Sequence, residues 1–172
     1  MFDDVDQKTM TKQTPQRMLN RALFYLQRFS ATEKHLGDVL QRQLDRKRRQ
    51  GDNVPDDADT WVSITVQKCV ELGFVNDRAF AESRINRLRR EGRSTTYMQQ
   101  HLAQKGVAKD IIQALLLDTS PEDELEAAKR CVVRKRLGRD HSPEARQKDL
   151  AKLARAGFSF DIAKRALDAK DT

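Results

Sequence analysis

The sequence predicts an all-α protein built as an elongated, curved array of three tandem three-helix repeats. Apolar residues recur at helical spacing along most of the chain, and no segment reads convincingly as a strand. A second observation is an internal repeat, because LAQKGVAKDIIQALL (102–116) aligns with LARAGFSFDIAKRAL (153–167) at six identical positions. Only 38% of the 172 residues are apolar, which suits stacked helices with much surface per residue.

The predicted segments follow the repeat: a flexible N-terminus at 1–13, and repeats at 14–73, 74–118 and 119–172. The first helix is expected to begin at Thr14, with Pro15 in the first helical position, where a missing N–H costs nothing. The second begins with SATE (30–33), in which Ser30 is predicted to cap the helix and Glu33 to reach back as a capping box.

The third helix is preceded by a loop at 50–59, which contains Gly51, Pro55 and four aspartates and no apolar period. We expect this loop to be solvated rather than to bind a metal, because it lacks the pattern of a calcium-binding loop. The helix is predicted to start near Asp59 or Thr60 and to end at Gly73, with Ile64 widening its apolar face.

The other six helices are delimited mainly by serine caps and by glycines. Their predicted limits are 76–91 with Gly92 after it, Ser94 to Gly106, 108–117, Ser120 to Gly138, Ser142 to Gly157, and Ser159 onward.

One pattern of glycine, apolar residue, two further residues and aspartate occurs three times, as GFVND (73–77), GVAKD (106–110) and GFSFD (157–161). The glycine is expected to end a helix in the left-handed conformation, and the aspartate to lie in the first turn of the next helix. The apolar residue is expected to fold back onto the finished helix; these residues are Phe74, Val107 and Phe158. The pattern therefore predicts a structural corner rather than an active site.

Catalytic, cofactor and metal sites are not predicted. Cys69 and Cys131 are isolated thiols in apolar helical patterns, and the histidines at 35, 101 and 141 are far apart in sequence. No nucleotide-binding or hydrolase motif occurs. The first twenty residues contain no apolar run typical of a signal peptide, and no stretch approaches the length of a membrane span. We therefore expect a cytoplasmic protein without a membrane partner.

Positive charge is the strongest functional signal. The net charge is +7, and residues 61–117 are the most basic third, with nine bases and five acids; such a field attracts polyanions. The segment RINRLRREGR (84–93) places Arg84, Arg87 and Arg90 along one stripe, with Arg89 and Arg93 on another side. A second patch, RKRLGR (134–139), contains Arg134, Lys135, Arg136 and Arg139, and a third is RKRR (46–49).

These arginines have two interpretations. They can form a charged solvent face, or favour a negative helix terminus where they follow a helix. Alternatively, arginines without acidic neighbours can bind phosphates or carboxylates in bidentate fashion. The helices at 108–117 and 159–169 are too aliphatic or mixed in charge to read a DNA groove, so only non-specific contact with a nucleic-acid backbone remains open.

Four segments resemble the RecX family: RALFYLQRFSATEKHLGDVLQRQL (21–44), GFVNDRAFAES (73–83), GRSTTYMQQHLAQKGV (92–107) and the tail at 153–167. The resemblance covers roughly residues 18–168. One departure lies at 91–95, where the family often has Lys-Gly-x-Gly-Pro and this chain has Glu-Gly-Arg-Ser-Thr.

The resemblance implies a regulator that binds the RecA recombinase along its filament on single-stranded DNA. It implies inhibition of recombinase and coprotease activity, which modulates homologous recombination, DNA repair and the SOS response, without catalytic residues or cofactors. Direct contact with single-stranded DNA is expected to be weak or to occur through RecA, and the protein is expected to be a monomer. The alternative is a stand-alone, non-specific nucleic-acid-binding protein; an enzyme has almost no support.

Overall fold

The computed structural model describes residues 13–140 and 142–169, and these residues form nine α-helices and no strand. The all-α prediction is confirmed. The helices are α1 Pro15–Leu26, α2 Glu33–Arg49, α3 Ala58–Glu71, α4 Asp77–Arg90, α5 Thr95–Gln104, α6 Lys109–Leu116, α7 Pro121–Lys135, α8 Pro143–Arg155 and α9 Phe160–Asp168. The predicted flexible N-terminus lies outside the described residues except for Gln13, which is buried and accepts a hydrogen bond from Arg21 (2.8 Å).

The chain divides into two compact units, Met1–Asp77 and Arg78–Thr172. In the first unit, α3 packs against both α1 and α2. Leu36, Leu40 and Leu44 are four residues apart, so they line one side of α2 and are buried against Ala22 and Trp61 in a single core. This core positions the outer surfaces of α1 and α2.

The second unit contains two hydrophobic cores. One is built by α4, α5 and α6 around Ile85, Leu102 and Ile112, and the other by α7, α8 and α9 around Val132 and Leu153. The last helix, α9, packs against both α7 and α8, as α3 does against the two helices before it.

Within the second unit, the turn between α4 and α5 is tied to α7 and α8. Ser94 is fully buried; its hydroxyl accepts from the N–H of Tyr97 (3.1 Å) and donates to the carbonyl of Ala156 (2.6 Å). The carboxylate of Glu124 accepts from the N–H (3.1 Å) and the hydroxyl (2.6 Å) of Thr95. The segment at 91–95, where the chain departs from the family pattern, is therefore largely a packing segment.

The predicted start of α2 is wrong. Its N-cap is Thr32, whose hydroxyl accepts from the N–H of His35 (3.1 Å), and Ser30 is exposed. Ala31 and Thr32 are buried, so the chain enters the core before the helix begins. The N–H of Glu33 is satisfied by the carboxylate of Asp77 (2.9 Å), a partner far away in sequence.

Two further predictions about helices are corrected. Ile64 does not widen the apolar face of α3, because it is 62% exposed and Thr65 occupies the buried position. The helix α7 ends before Gly138, since Arg136 already adopts the left-handed conformation at φ 55°. Burial of Leu137, whose N–H bonds to the carbonyl of Val132 (2.9 Å), requires this earlier turn.

The three corners differ in one respect. Val107 and Phe158 are buried against the preceding helix, as predicted, but Phe74 is 55% exposed and Val75 is buried in its place. The N–H groups of both Phe74 and Val75 point to the carbonyl of Cys69 (2.9 and 3.2 Å). The expectation for Phe74 is therefore wrong, although the glycine ends α3 as predicted.

Candidate functional site

The arginines of α4 outnumber the carboxylates that can pair with them. Glu82 binds Arg78 (3.1 Å), and Glu91 binds Arg87 (2.9 Å). Among the described residues, Arg84 and Arg90 form no ion pair, because the acids nearest to them in sequence, Glu82 and Glu91, are already paired. Their charge remains available to an external anion.

Aromatic rings support the cations on one surface of α4 and α5, which we call the α4–α5 surface and define by Phe80, Arg84, Arg93, Tyr97 and His101. The guanidinium of Arg84 lies 5.3 Å from the centre of the Phe80 ring, and that of Arg93 lies 4.6 Å from the centre of the Tyr97 ring. The His101 ring stacks on Tyr97 at 6.0 Å. Cations held over aromatic faces keep a defined orientation.

The pKa of His101 lies below its ordinary value. Burial lowers it first, and the nearby cations Arg84, Lys105 and Arg93 lower it further. Both effects favour the neutral form of the ring. Sequence reasoning missed the aromatic partners, although the spacing of 93, 97 and 101 at intervals of four was visible.

Arg89 has a different role from the other arginines of α4. It is half-buried, and its guanidinium donates to the hydroxyl of Thr119 (3.3 Å). Its backbone carbonyl accepts from Arg130 of α7 (3.0 Å). Arg89 therefore contributes to packing inside the second unit rather than to the α4–α5 surface.

The cations of the patch at 134–139 also have different roles. Arg134 donates to the carbonyl of Glu91 (2.5 Å), which lies just after the C-terminus of α4, where a cation is favoured. Lys135, Arg136 and Arg139 are exposed and form no ion pair within the part of the chain described. These three remain candidate contacts, whereas Arg134 connects α7 to α4.

The patch at 46–49 is partly neutralised by aspartates of the acidic loop, most of whose residues remain exposed, as predicted. Arg48 binds both carboxylate oxygens of Asp59 (2.9 and 2.5 Å), and Lys47 binds Asp52 (2.7 Å). Hydrogen bonds from Arg48 and Gln41 lower the pKa of Asp59 to about 2. This patch therefore carries less free charge than its sequence suggests.

Other kinds of site receive no support from the described residues. No group of three or more His, Cys, Asp or Glu side chains there could hold a metal ion. Cys69 and Cys131 are free and buried, and burial raises the pKa of the Cys69 thiol. Across 13–140 and 142–169, no helix has the length and apolar character that crossing a membrane requires.

The fold and the surface together define an all-α protein with a cationic, aromatic-backed surface, a class suited to binding anionic partners. Residues 76–116, which cover α4 to α6, match the family model described as "RecX, second three-helix domain". The chain is 39% identical over 167 residues to "Regulatory protein RecX" of Myxococcus xanthus (strain DK1622), covering 94% of this chain and 89% of that one.

A second relative, "Regulatory protein RecX" of Agrobacterium fabrum (strain C58 / ATCC 33970), is 30% identical over 152 residues, covering 86% of this chain and 80% of the other. The "Crystal structure of RecX from Lactobacillus salivarius" has the same fold, with a TM-score of 0.69 at 21% identity over 91% of this chain and 96% of that one. The chain belongs to the RecX family. The resemblance seen in the sequence is thereby confirmed.

Proposed function

We propose that this protein binds the RecA filament on single-stranded DNA and inhibits its recombinase and coprotease activity. It thereby modulates recombinational repair and the SOS response. It acts as a cytoplasmic monomer that needs no cofactor and catalyses no reaction. Membership of a family whose relatives are named regulatory proteins supports this role.

The observation that favours a contact through the arginine stripe at 84, 87 and 90 is its surplus of positive charge. Arg84 and Arg90 have no carboxylate partner among the described residues, and Arg87 is mostly exposed beside its partner Glu91. A guanidinium binds carboxylates and phosphates through two parallel hydrogen bonds. A protein filament on DNA offers both kinds of anion, so the stripe at 84, 87 and 90 is the proposed contact.

The test replaces Arg84, Arg87 and Arg90 by alanine and measures inhibition of the RecA ATPase on single-stranded DNA. A charge-assisted hydrogen bond contributes about 1.5–3 kcal/mol, so we expect the triple variant to need at least about tenfold more protein for half inhibition. The matched control removes three exposed cations from α8 and α9: Lys148, Arg155 and Lys164. Unchanged inhibition by a folded triple variant excludes the stripe, and no inhibition by the unmodified protein excludes the function.

The second candidate function is stand-alone nucleic-acid binding, which the net charge of +7 favours. Titration with single- and double-stranded DNA in the absence of RecA, over a range of salt, distinguishes the two. Tight binding with a steep dependence on salt supports the stand-alone function, and weak binding supports a protein-directed regulator.

A further inference from the structure

An open cleft of about 560 Å³ lies in the first unit, between the C-terminal halves of α1 and α2. It shares no residue with the α4–α5 surface, which belongs to the second unit. Three aromatic rings, four cations and two amide side chains line it, and no carboxylate does. This composition favours a ligand that is negatively charged and also has flat apolar groups.

Two of the rings are exposed although they are large and apolar. Phe24 is 63% exposed and Phe29 is 55% exposed. The third ring, Tyr25, lies 5.2 Å from Phe29 between ring centres, and its hydroxyl hydrogen-bonds to Nε2 of His35 (3.0 Å). Tyr25 is thus anchored to α2 and supports Phe29, which gives the exposed ring a defined position.

The cations of the cleft are mostly uncompensated. Arg28 lies over the Phe24 ring at 5.6 Å, and Arg21 donates to the neutral amide of Gln13, so neither charge is neutralised by these contacts. Arg46 is exposed and makes no ion pair within the described residues. Lys47 is the exception, because Asp52 binds it at 2.7 Å.

We propose that the α1–α2 cleft binds single-stranded nucleic acid directly. Bases stack on Phe24 and Phe29, and phosphates pair with Arg21, Arg28 and Arg46. A single strand has exposed bases, which match the aromatic rings, and regularly spaced phosphates, which match the cations. Other proteins bind single strands with the same combination. An acidic peptide would satisfy the cations but leave two exposed rings unused, and a duplex hides the faces of its bases.

The test uses the full-length protein without RecA and two probes with equal numbers of phosphates. One is oligothymidylate and the other is the same backbone without bases. At low salt, fluorescence anisotropy should show tighter binding of oligothymidylate, by about 5- to 150-fold for each stacked base. Because RecA is absent, failure here leaves the RecA proposal untouched; the inference rests instead on the second candidate function, nucleic-acid binding, to which it gives a site.

Substitutions assign the effect to the cleft. Phe24→Ala and Phe29→Ala should each reduce the preference for oligothymidylate by about 5-fold or more, whereas Phe160→Ala, which removes a ring that is 70% exposed on α9, should not. Both target rings are more than half exposed, so their truncation leaves the core intact. Arg46→Gln should weaken both probes and lower the salt slope by about 0.7, whereas Arg155→Gln should not.

Three results would overturn the proposal. The first is equal affinity for the two probes, or no binding of oligothymidylate at low salt. The second is a preference that survives both phenylalanine variants. The third is displacement of oligothymidylate by polyglutamate at equal charge concentration, which would identify an acidic peptide as the better ligand.

Discussion

The corners at Gly73 and Gly157 have the same sequence pattern of glycine, phenylalanine, two residues and aspartate. Both glycines end a helix with positive φ, at 74° and 92°. Their surroundings differ, however. A Cβ at Gly157 would lie 2.5 Å from Oγ of Ser94 and 3.1 Å from Cβ of Thr96, whereas a Cβ at Gly73 would meet nothing within 4 Å.

The next helix begins at a different distance from the glycine in the two corners. After Gly157, α9 begins at Phe160, and Phe158 is buried. After Gly73, α4 begins one residue later, at Asp77, so Val75 reaches the core. A shared local pattern therefore determines that the chain turns, while packing determines which side chain is buried.

The largest expected difference concerns the two phenylalanines. Phe158→Ala should lower the free energy of unfolding by about 3–5 kcal/mol, because it removes a buried ring and leaves a cavity. Phe74→Ala should change it by less than about 0.5 kcal/mol, because the ring is mostly in solvent. Urea denaturation followed by circular dichroism measures both. Similar losses would contradict the assignment of Val75 as the buried residue of the first corner.

The glycines should differ next. Gly157→Ala should destabilise the protein in two ways. An alanine in the left-handed conformation costs about 1–2 kcal/mol, and overlap of its Cβ with Ser94 costs about 1–3 kcal/mol. Gly73→Ala adds only the first cost, so thermal unfolding should show a clearly smaller loss. Gly37→Ala is the control, since this helical glycine has only Val66 Cγ2 near, at 3.9 Å, and alanine there should stabilise by about 0.5–1 kcal/mol. Equal losses at 73 and 157 would exclude the overlap.

The turn after α7, which does not have the glycine pattern, tests the left-handed conformation without a glycine. Arg136 adopts φ 55° after α7, so Arg136→Gly should raise the free energy of unfolding by about 1 kcal/mol. Arg136→Ala should give no such gain, because alanine keeps the steric cost while removing the same charge. A stabilising effect of both variants would instead point to relief of charge repulsion.

The smallest difference is expected for the aspartates. Asp77→Ala should cost about 1 kcal/mol, because it removes the acceptor for the N–H of Glu33 at the start of α2. Asp161→Ala should cost about 0.3–0.5 kcal/mol, since its carboxylate is 76% exposed and pairs only loosely with Arg165 (3.7 Å). Asp77→Asn keeps an acceptor oxygen and should lose less than Asp77→Ala. Equal effects of the two alanine variants, by chemical denaturation, would count against the cap.

The site was predictable only in part. The surplus of arginine at 84–93 could be counted from the sequence, and the structure leaves Arg84 and Arg90 without ion pairs among the described residues. The hydrogen bonds that place Arg89 and Arg134 in packing contacts could not be predicted, because their partners lie 30 and 43 residues away in sequence. The cleft between α1 and α2 depends on how the two helices pack, and the spacing of apolar residues does not predict that packing.

By itself, the sequence determined the all-α class and the residues that cap five of the helices. Thr14, Ser94, Ser120, Ser142 and Ser159 all cap the helices they were expected to cap, because a cap hydrogen bond spans only three residues. Only the tertiary structure decided where α2 begins, which corner residue is buried and which cations stay free. These outcomes depend on contacts such as Glu33 with Asp77 and Thr95 with Glu124, which join residues 44 and 29 positions apart.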